Sequence, residues 1–205
     1  LMPGTVGGRS AHPPKADRIW DEKINEKENR KAIRSAMAAT IVPELIKARG
    51  HRVPKEFPFI IDSKAESIAK TQDVYKALEK LGFTDELART DVRKIRAGKG
   101  KNRGRPYQGK KGPLFVVSQS CALQKAARNI PGIEIATVNQ LNAKLLAPGT
   151  QPGRLTLWTE AAIDVLTSQK TFTQDYKGET PKAKEVKVVA KKPTPAKKTA
   201  VKKSK

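Results

Sequence analysis

The chain predicts an α/β fold: a mostly parallel sheet flanked by helices. Two observations carry that reading. Short β-rich apolar runs alternate with helix-period segments through residues 113–169. Strands that alternate with helices build parallel sheets with right-handed crossovers. The hydrophobic share is 37%, and the large apolar residues gather in the middle of the 205 residues, which suits one modest domain.

The elements follow in order. Residues 1–20 (LMPGTVGGRSAHPPKADRIW) are rich in Gly and Pro, which exclude regular structure, so they form an extended arm with Trp20 as its anchor. Residues 21–49 are helical. Asn25 is placed as N-cap with Glu28 as its capping-box acid, and Ile33, Met37 and Ile41 recur at helical spacing. Pro43 breaks that helix; its second half, with Leu45 and Ile46, ends at Gly50. FPFIID (57–62) predicts a buried strand. Residues 64–81 predict a helix with Ile68, Val74, Leu78 and Leu81 inward and Gly82 closing it. Thr84 caps a short helix through Leu87. Beyond it, PLFVVS (113–118) is a strand, Ser120 starts a helix over 121–130, and IEIATV (133–138) is a strand. Asn139 caps a helix ending before Pro148. RLTLWT (154–159) is a strand, and Thr159 caps the helix over 160–169. From Phe172 the apolar period is lost. Residues 182–205 hold ten Lys and one acid, a composition that stays unfolded on its own. The organisation is therefore an arm (1–20), an α/β body (21–171) and a basic tail (172–205).

Charge narrows the function. There are 42 Lys plus Arg against 20 Asp plus Glu, a net +22. The sharpest feature is the run VRKIRAGKGKNRGRPYQGKK (92–111), with nine Lys or Arg, four Gly and no acid. Nothing offsets the repulsion there, so the run faces a polyanion, and a phosphate backbone is the commonest one. It predicts an irregular basic loop. Gly lets backbone approach phosphate, Arg binds phosphate in bidentate fashion, and Tyr107 can stack on an unpaired base. The sparse aromatics argue for recognition by RNA shape and backbone.

Other chemistry fails on its physics. Residues 104–110 match the start of a P-loop, but Lys111 stands where the magnesium-binding hydroxyl belongs, and the glycines precede a strand. Gly98 and Gly100 do not make a dinucleotide fingerprint. Ser118, Ser120 and Cys121 close a strand without a histidine base, and Cys121 reads as a small packing residue. Glu160 suits a helix start better than acid–base work with Asp164. One cysteine forms no internal disulfide and no zinc site, and fits a reducing cytosol. His12 and His51 lack ligand spacing, so RNA contact or plain exposure is expected of them. No metal, cofactor, small-molecule substrate or catalysis is expected. No stretch approaches the ~18 apolar residues of a membrane span. Leu1 opens a Gly/Pro segment rather than a leader.

PGTVGGRSAHPPKADRIW (3–20), IRAGKGKNRGR (95–105), ARNIPGIEI (127–135) and LLAPGTQPGRLTLWTEAAI (145–163), in that order, resemble the L4 family of large-subunit ribosomal proteins, in its archaeal and eukaryotic branch. AIRSAMAATIVPELIKARGHRV (32–53) fits as well. The resemblance covers about residues 1–170. It implies a Rossmann-like body on the subunit surface and a long loop reaching through ribosomal RNA to the peptide exit tunnel. Residues 3–14 would be that loop's returning half. The family places a first strand and the loop's outgoing half ahead of that segment. The expected partners are large-subunit ribosomal RNA and neighbouring ribosomal proteins, in the cytoplasm on the ribosome. Arg9, His12, Lys15 and Arg18 of the arm are the first set of RNA-binding residues. Arg93, Lys94, Arg96, Lys99, Lys101, Asn102, Arg103, Arg105, Tyr107, Lys110 and Lys111 of the loop are the second, joined by Arg128 and Arg154. The competing reading is a general nucleic-acid-compacting or RNA-chaperone protein that acts through its basic tail.

Overall fold

The computed structural model describes residues 2–173. The predicted basic tail lies outside these residues, apart from its first two. Residues 2–25 hold no helix or strand. Helix α1 (Glu26–Ala39) is followed by α2 (Pro43–Ala48), β1 (Ile60–Ile61), a 3-10 turn (Ser63–Ser67), α3 (Thr71–Lys80) and α4 (Thr84–Asp91). A hairpin of β2 (Lys94–Ile95) and β3 (Tyr107–Gln108) comes next. The body closes with β4 (Leu114–Val117), α5 (Ala122–Ala127), β5 (Glu134–Thr137), α6 (Ala143–Leu146), β6 (Thr156–Thr159) and α7 (Glu160–Gln169).

The α/β expectation holds. Four strands form one sheet in the order β1-β6-β4-β5, and every pair is parallel. Central β4 is buried along its whole length, as a strand covered on both faces must be. Its side chains alternate between two cores. Phe115 and Val117 join Leu155, Leu157, Val74, Leu78, Phe83 and Leu123 on one face. Leu114 and Val116 join Ile33, Ala136, Leu146 and Ala162 on the other. Helices α3, α4 and α5 thus cover one side, and α1, α6 and α7 the other.

Local chemistry explains the helix ends. After α2, Gly50 takes φ +93°, and the Gly50 and His51 amides donate to the Lys47 and Ile46 carbonyls. After α3, Gly82 (φ +81°) and Phe83 repeat that pattern on Glu79 and Leu78. Both are left-handed closures that glycine adopts without strain. Thr159 caps α7 as expected, accepting from the Ala162 amide at 3.3 Å.

Several boundaries differ from the sequence reading. The Asn25 side chain makes no capping bond, so the box with Glu28 does not form, and Ile41 lies beyond α1, 56% exposed. The segment 57–62 is not a buried strand. Only Ile60 and Ile61 pair, at the sheet edge, while Phe57 and Phe59 turn to an aromatic cluster with Phe83. The helix over 64–81 is split by extended Ile68, and Leu81 faces outward. Helix α4 runs on to Asp91 with Phe83 at its N-cap. Cys121 rather than Ser120 precedes α5, and Asn142 rather than Asn139 caps α6, accepting from Leu145 N at 2.8 Å.

Candidate nucleic-acid interface

Residues 92–111 leave the end of α4 and return into β4. The structure corrects their reading as an irregular loop. Lys94 pairs with Gln108 and Ile95 with Tyr107 in an antiparallel ribbon. The Arg96 amide donates to the Pro106 carbonyl at 2.8 Å, and the Arg103 and Arg105 amides share the Gly100 carbonyl at 3.2 Å. Gly98 (φ +77°) and Gly104 (φ +76°) make the tip turns that residues with a Cβ resist. The Arg96 guanidinium folds back, with Nε donating to Arg105 O at 3.1 Å and Nη2 to Tyr107 O at 3.4 Å. Arg93, Lys94, Lys99, Lys101, Asn102, Arg103, Arg105, Tyr107 and Lys110 are exposed. Among the described residues, none of the hairpin's Lys and Arg except Lys111 pairs with a carboxylate.

A two-stranded ribbon is marginal by itself in water. Here its base is clamped by buried charge. Glu86 on α4 is fully buried and accepts from Arg89 Nε (2.8 Å), Arg89 Nη2 (2.7 Å), His51 Nδ1 (2.7 Å) and the Arg52 amide (2.9 Å). Burial works against its charge. The bonds from Arg89, His51 and Arg52 outweigh that and hold its pKa at about 2. Arg89 Nη2 also donates to the Lys111 carbonyl at 2.7 Å, which ties the returning strand to α4.

A second carboxylate completes the clamp. Glu134 on β5 binds Lys111 Nζ through Oε1 and Arg154 Nη1, at 2.7 Å, through Oε2. Burial again opposes ionisation. The bonds from Lys111 and Arg154 prevail and hold the carboxyl below its ordinary value. Arg154 also donates to the carbonyls of Gly112 (3.1 Å) and Leu145 (2.8 Å).

Placement of the predicted residues therefore divides. Arg9, His12, Lys15, Arg18 and Arg128 are exposed, as are the hairpin cations above. Arg154 is not on the surface. It is fully buried and serves Glu134, so its place among RNA-binding residues is corrected. Lys111 remains half-exposed but is spent on Glu134. His51 is 6% exposed against Glu86, which corrects the expectation of RNA contact or exposure. Trp20 is 70% exposed and does not anchor the arm in the body. The sequence reading missed Glu86, Arg89 and Glu134. For Glu134 the only sequence signal is a carboxylate within an otherwise apolar stretch, and Glu86 and Arg89 carry none.

The carboxyl end of the parallel sheet, the usual ligand crevice of such folds, is occupied by Glu66. It accepts from Ser118 N (3.0 Å), Ser118 Oγ (2.7 Å) and Thr159 Oγ1 (2.7 Å). Burial resists its charge, and these bonds win and lower its pKa. A phosphate there would meet a carboxylate. Burial pushes the neighbouring Cys121 thiol up, away from the thiolate a nucleophile needs. No group of three or more His, Cys, Asp or Glu among the described residues is placed to hold a metal ion. No helix there is long and apolar enough to cross a membrane.

Comparison with known proteins decides the family. The model of the ribosomal protein L4/L1 family matches residues 2–169. The chain belongs to that family. A relative from Methanococcoides burtonii, named large ribosomal subunit protein uL4, is 52% identical over 163 residues, covering 79% of this chain and 64% of its own. Proteins of the same name from Archaeoglobus fulgidus (47% identical; 81% and 66% covered) and Nanoarchaeum equitans (50%; 82% and 62%) are similar too. The chain thus spans less than two thirds of the length of these L4 relatives. The motifs behind the resemblance fall on the hairpin (95–105), the α5–β5 turn, the β6–α7 unit and the arm.

Proposed function

We propose that this chain is part of a structural protein of the large ribosomal subunit. It binds ribosomal RNA, supports subunit assembly and approaches the peptide exit tunnel through its arm, without catalysis. The observation that carries this is the clamped hairpin: a row of exposed cations, unpaired with any described carboxylate, held on a rigid body. The body is Rossmann-like in this reading. Its partners are ribosomal RNA and neighbouring ribosomal proteins in the cytoplasm, with no membrane, cofactor or small-molecule substrate. The arm residues Arg9, His12, Lys15 and Arg18, the exposed hairpin residues and Arg128 make the contacts. The names of the L4 relatives support the assignment.

The test is binding to large-subunit RNA across a salt series. With ~8 phosphates contacted, log K against log salt slopes at about −6 to −7. A slope near zero refutes the proposal. Deleting the chain from Thr180 onward should leave most specific affinity in place. If that deletion removes it, the protein is instead a general RNA-compacting protein acting through its tail.

A further inference from the structure

The arm presents a feature that phosphate binding leaves unexplained. Trp20 is 70% exposed and Ile19 85% exposed, at the end of a segment rich in Pro and Gly that also exposes Met2 and Val6. The Arg18 guanidinium lies over the indole, 4.5 Å from the ring centroid. Together with His12, Pro13, Pro14 and Asp17, these two side chains line a cavity of about 550 Å³ formed entirely by residues 11–20.

From this geometry we infer that the cavity takes one unpaired nucleobase of the bound RNA, stacked on the Trp20 indole. The inference rests on the RNA-binding reading above and names one contact within it. An indole in water has a large apolar face to cover, and a base supplies a flat one. Arg18, already stacked, adds a cationic plane that attracts the same ligand. Pro13 and Pro14 fix φ along one wall, which lowers the backbone entropy lost at those two positions when a base is held. Asp17 offsets part of the positive charge of Lys15 and Arg18 on the same lining, and its carboxylate can accept from a base's exocyclic amino group. Lys15, on the same lining, is placed for a flanking phosphate. A protein partner would also cover the indole, but His12, Lys15 and Arg18, which line the cavity, suit a polyanion better.

The chain has two tryptophans, so Trp158→Phe leaves Trp20 as the sole indole reporter. In the full chain, a short single-stranded RNA should quench Trp20 emission, and an abasic oligonucleotide of equal length should not. Against large-subunit RNA, Trp20→Ala in the otherwise natural chain should weaken binding about tenfold, and Trp20→Phe no more than about threefold. Equal quenching by the abasic strand, or unchanged affinity of Trp20→Ala, overturns the base pocket. If RNA still binds with a steep salt slope in that case, the RNA-binding reading stands and the indole belongs to a protein partner. If no RNA binds the parent chain, both fall.

Discussion

The hairpin and the arm differ in charge density and in mechanical status: residues 92–111 hold nine Lys or Arg and no acid, residues 1–20 three and one acid. Both are cationic and loosened by Gly and Pro. The hairpin is tied at its base through Arg89 to the Lys111 carbonyl and through Glu134 to the Lys111 ammonium. The arm's own hydrogen bonds are local, Gly8 to Thr5, Arg18 to Lys15 and Thr5 to Met2. The difference teaches that positive charge alone does not decide how firmly a segment is held. Glu86, through Arg89, and Glu134 decide it for the hairpin, because they tie its return to the body. A preorganised hairpin loses less entropy on binding than an arm that must be ordered in the act.

The most severe way to break the comparison is to remove the carboxylate under the hairpin. Glu86→Ala strands Arg89 and His51 without their partner, and breaking a buried ion pair costs about 3–5 kcal/mol. A denaturant titration should show that loss. Amide exchange at Arg96 and Arg105 should accelerate, with no change in the arm. Unchanged exchange in the hairpin would mean that the clamp does not hold it.

Acid sharpens the same point without mutation. The Glu86 pKa is about 2 in the fold against an ordinary 4.5. A depressed carboxyl stabilises the folded state above its unfolded pKa, and that stability is lost as pH falls through the folded value. The contribution, about 3 kcal/mol at neutral pH, should therefore disappear between pH 4.5 and about 2. Glu86→Gln should flatten that part of the stability curve.

Much of the body was legible in the sequence because its signals are local. Residues 114–117 are an apolar run bounded by turn residues, and Thr159 sits where a cap must. The clamp was not legible. Lys111 and Lys110 look identical in sequence, and only Glu134, 23 positions away, distinguishes them. Arg154 opens a strand motif and reads as surface until the fold brings Glu134 beside it. His51 is 35 positions from Glu86. Ion pairs of that span leave no periodicity, and a charge count cannot tell a cation facing solvent from one that braces the fold.

Binding itself should separate exposed cations from bracing ones. Replacing Lys99, Arg103, Arg105 and Lys110 with Gln removes four exposed charges. The salt slope should fall by about 3 and affinity at physiological salt by about a hundredfold, with stability unchanged. Arg154→Gln should do the reverse, lowering stability while the slope holds. If Arg154→Gln lowers the slope as an exposed cation does, the division between surface and brace is wrong.

The smallest expected effect concerns how tightly the returning strand seats. A Cβ at Gly112 would lie 2.8 Å from Thr90 Cγ2 and 3.0 Å from the Gly132 carbonyl oxygen, whereas one at Gly109 would meet nothing within 4 Å. Gly112 also donates its amide to that carbonyl at 2.8 Å, so the contact cannot open without losing the bond. Gly112→Ala should therefore destabilise the protein by about 1–2 kcal/mol, and Gly109→Ala should change the melting midpoint little. The two glycines are three positions apart in one basic segment. A shared response would mean that the chain is seated no more tightly at 112 than at 109; a split response locates the start of the fixed base at residues 110–112.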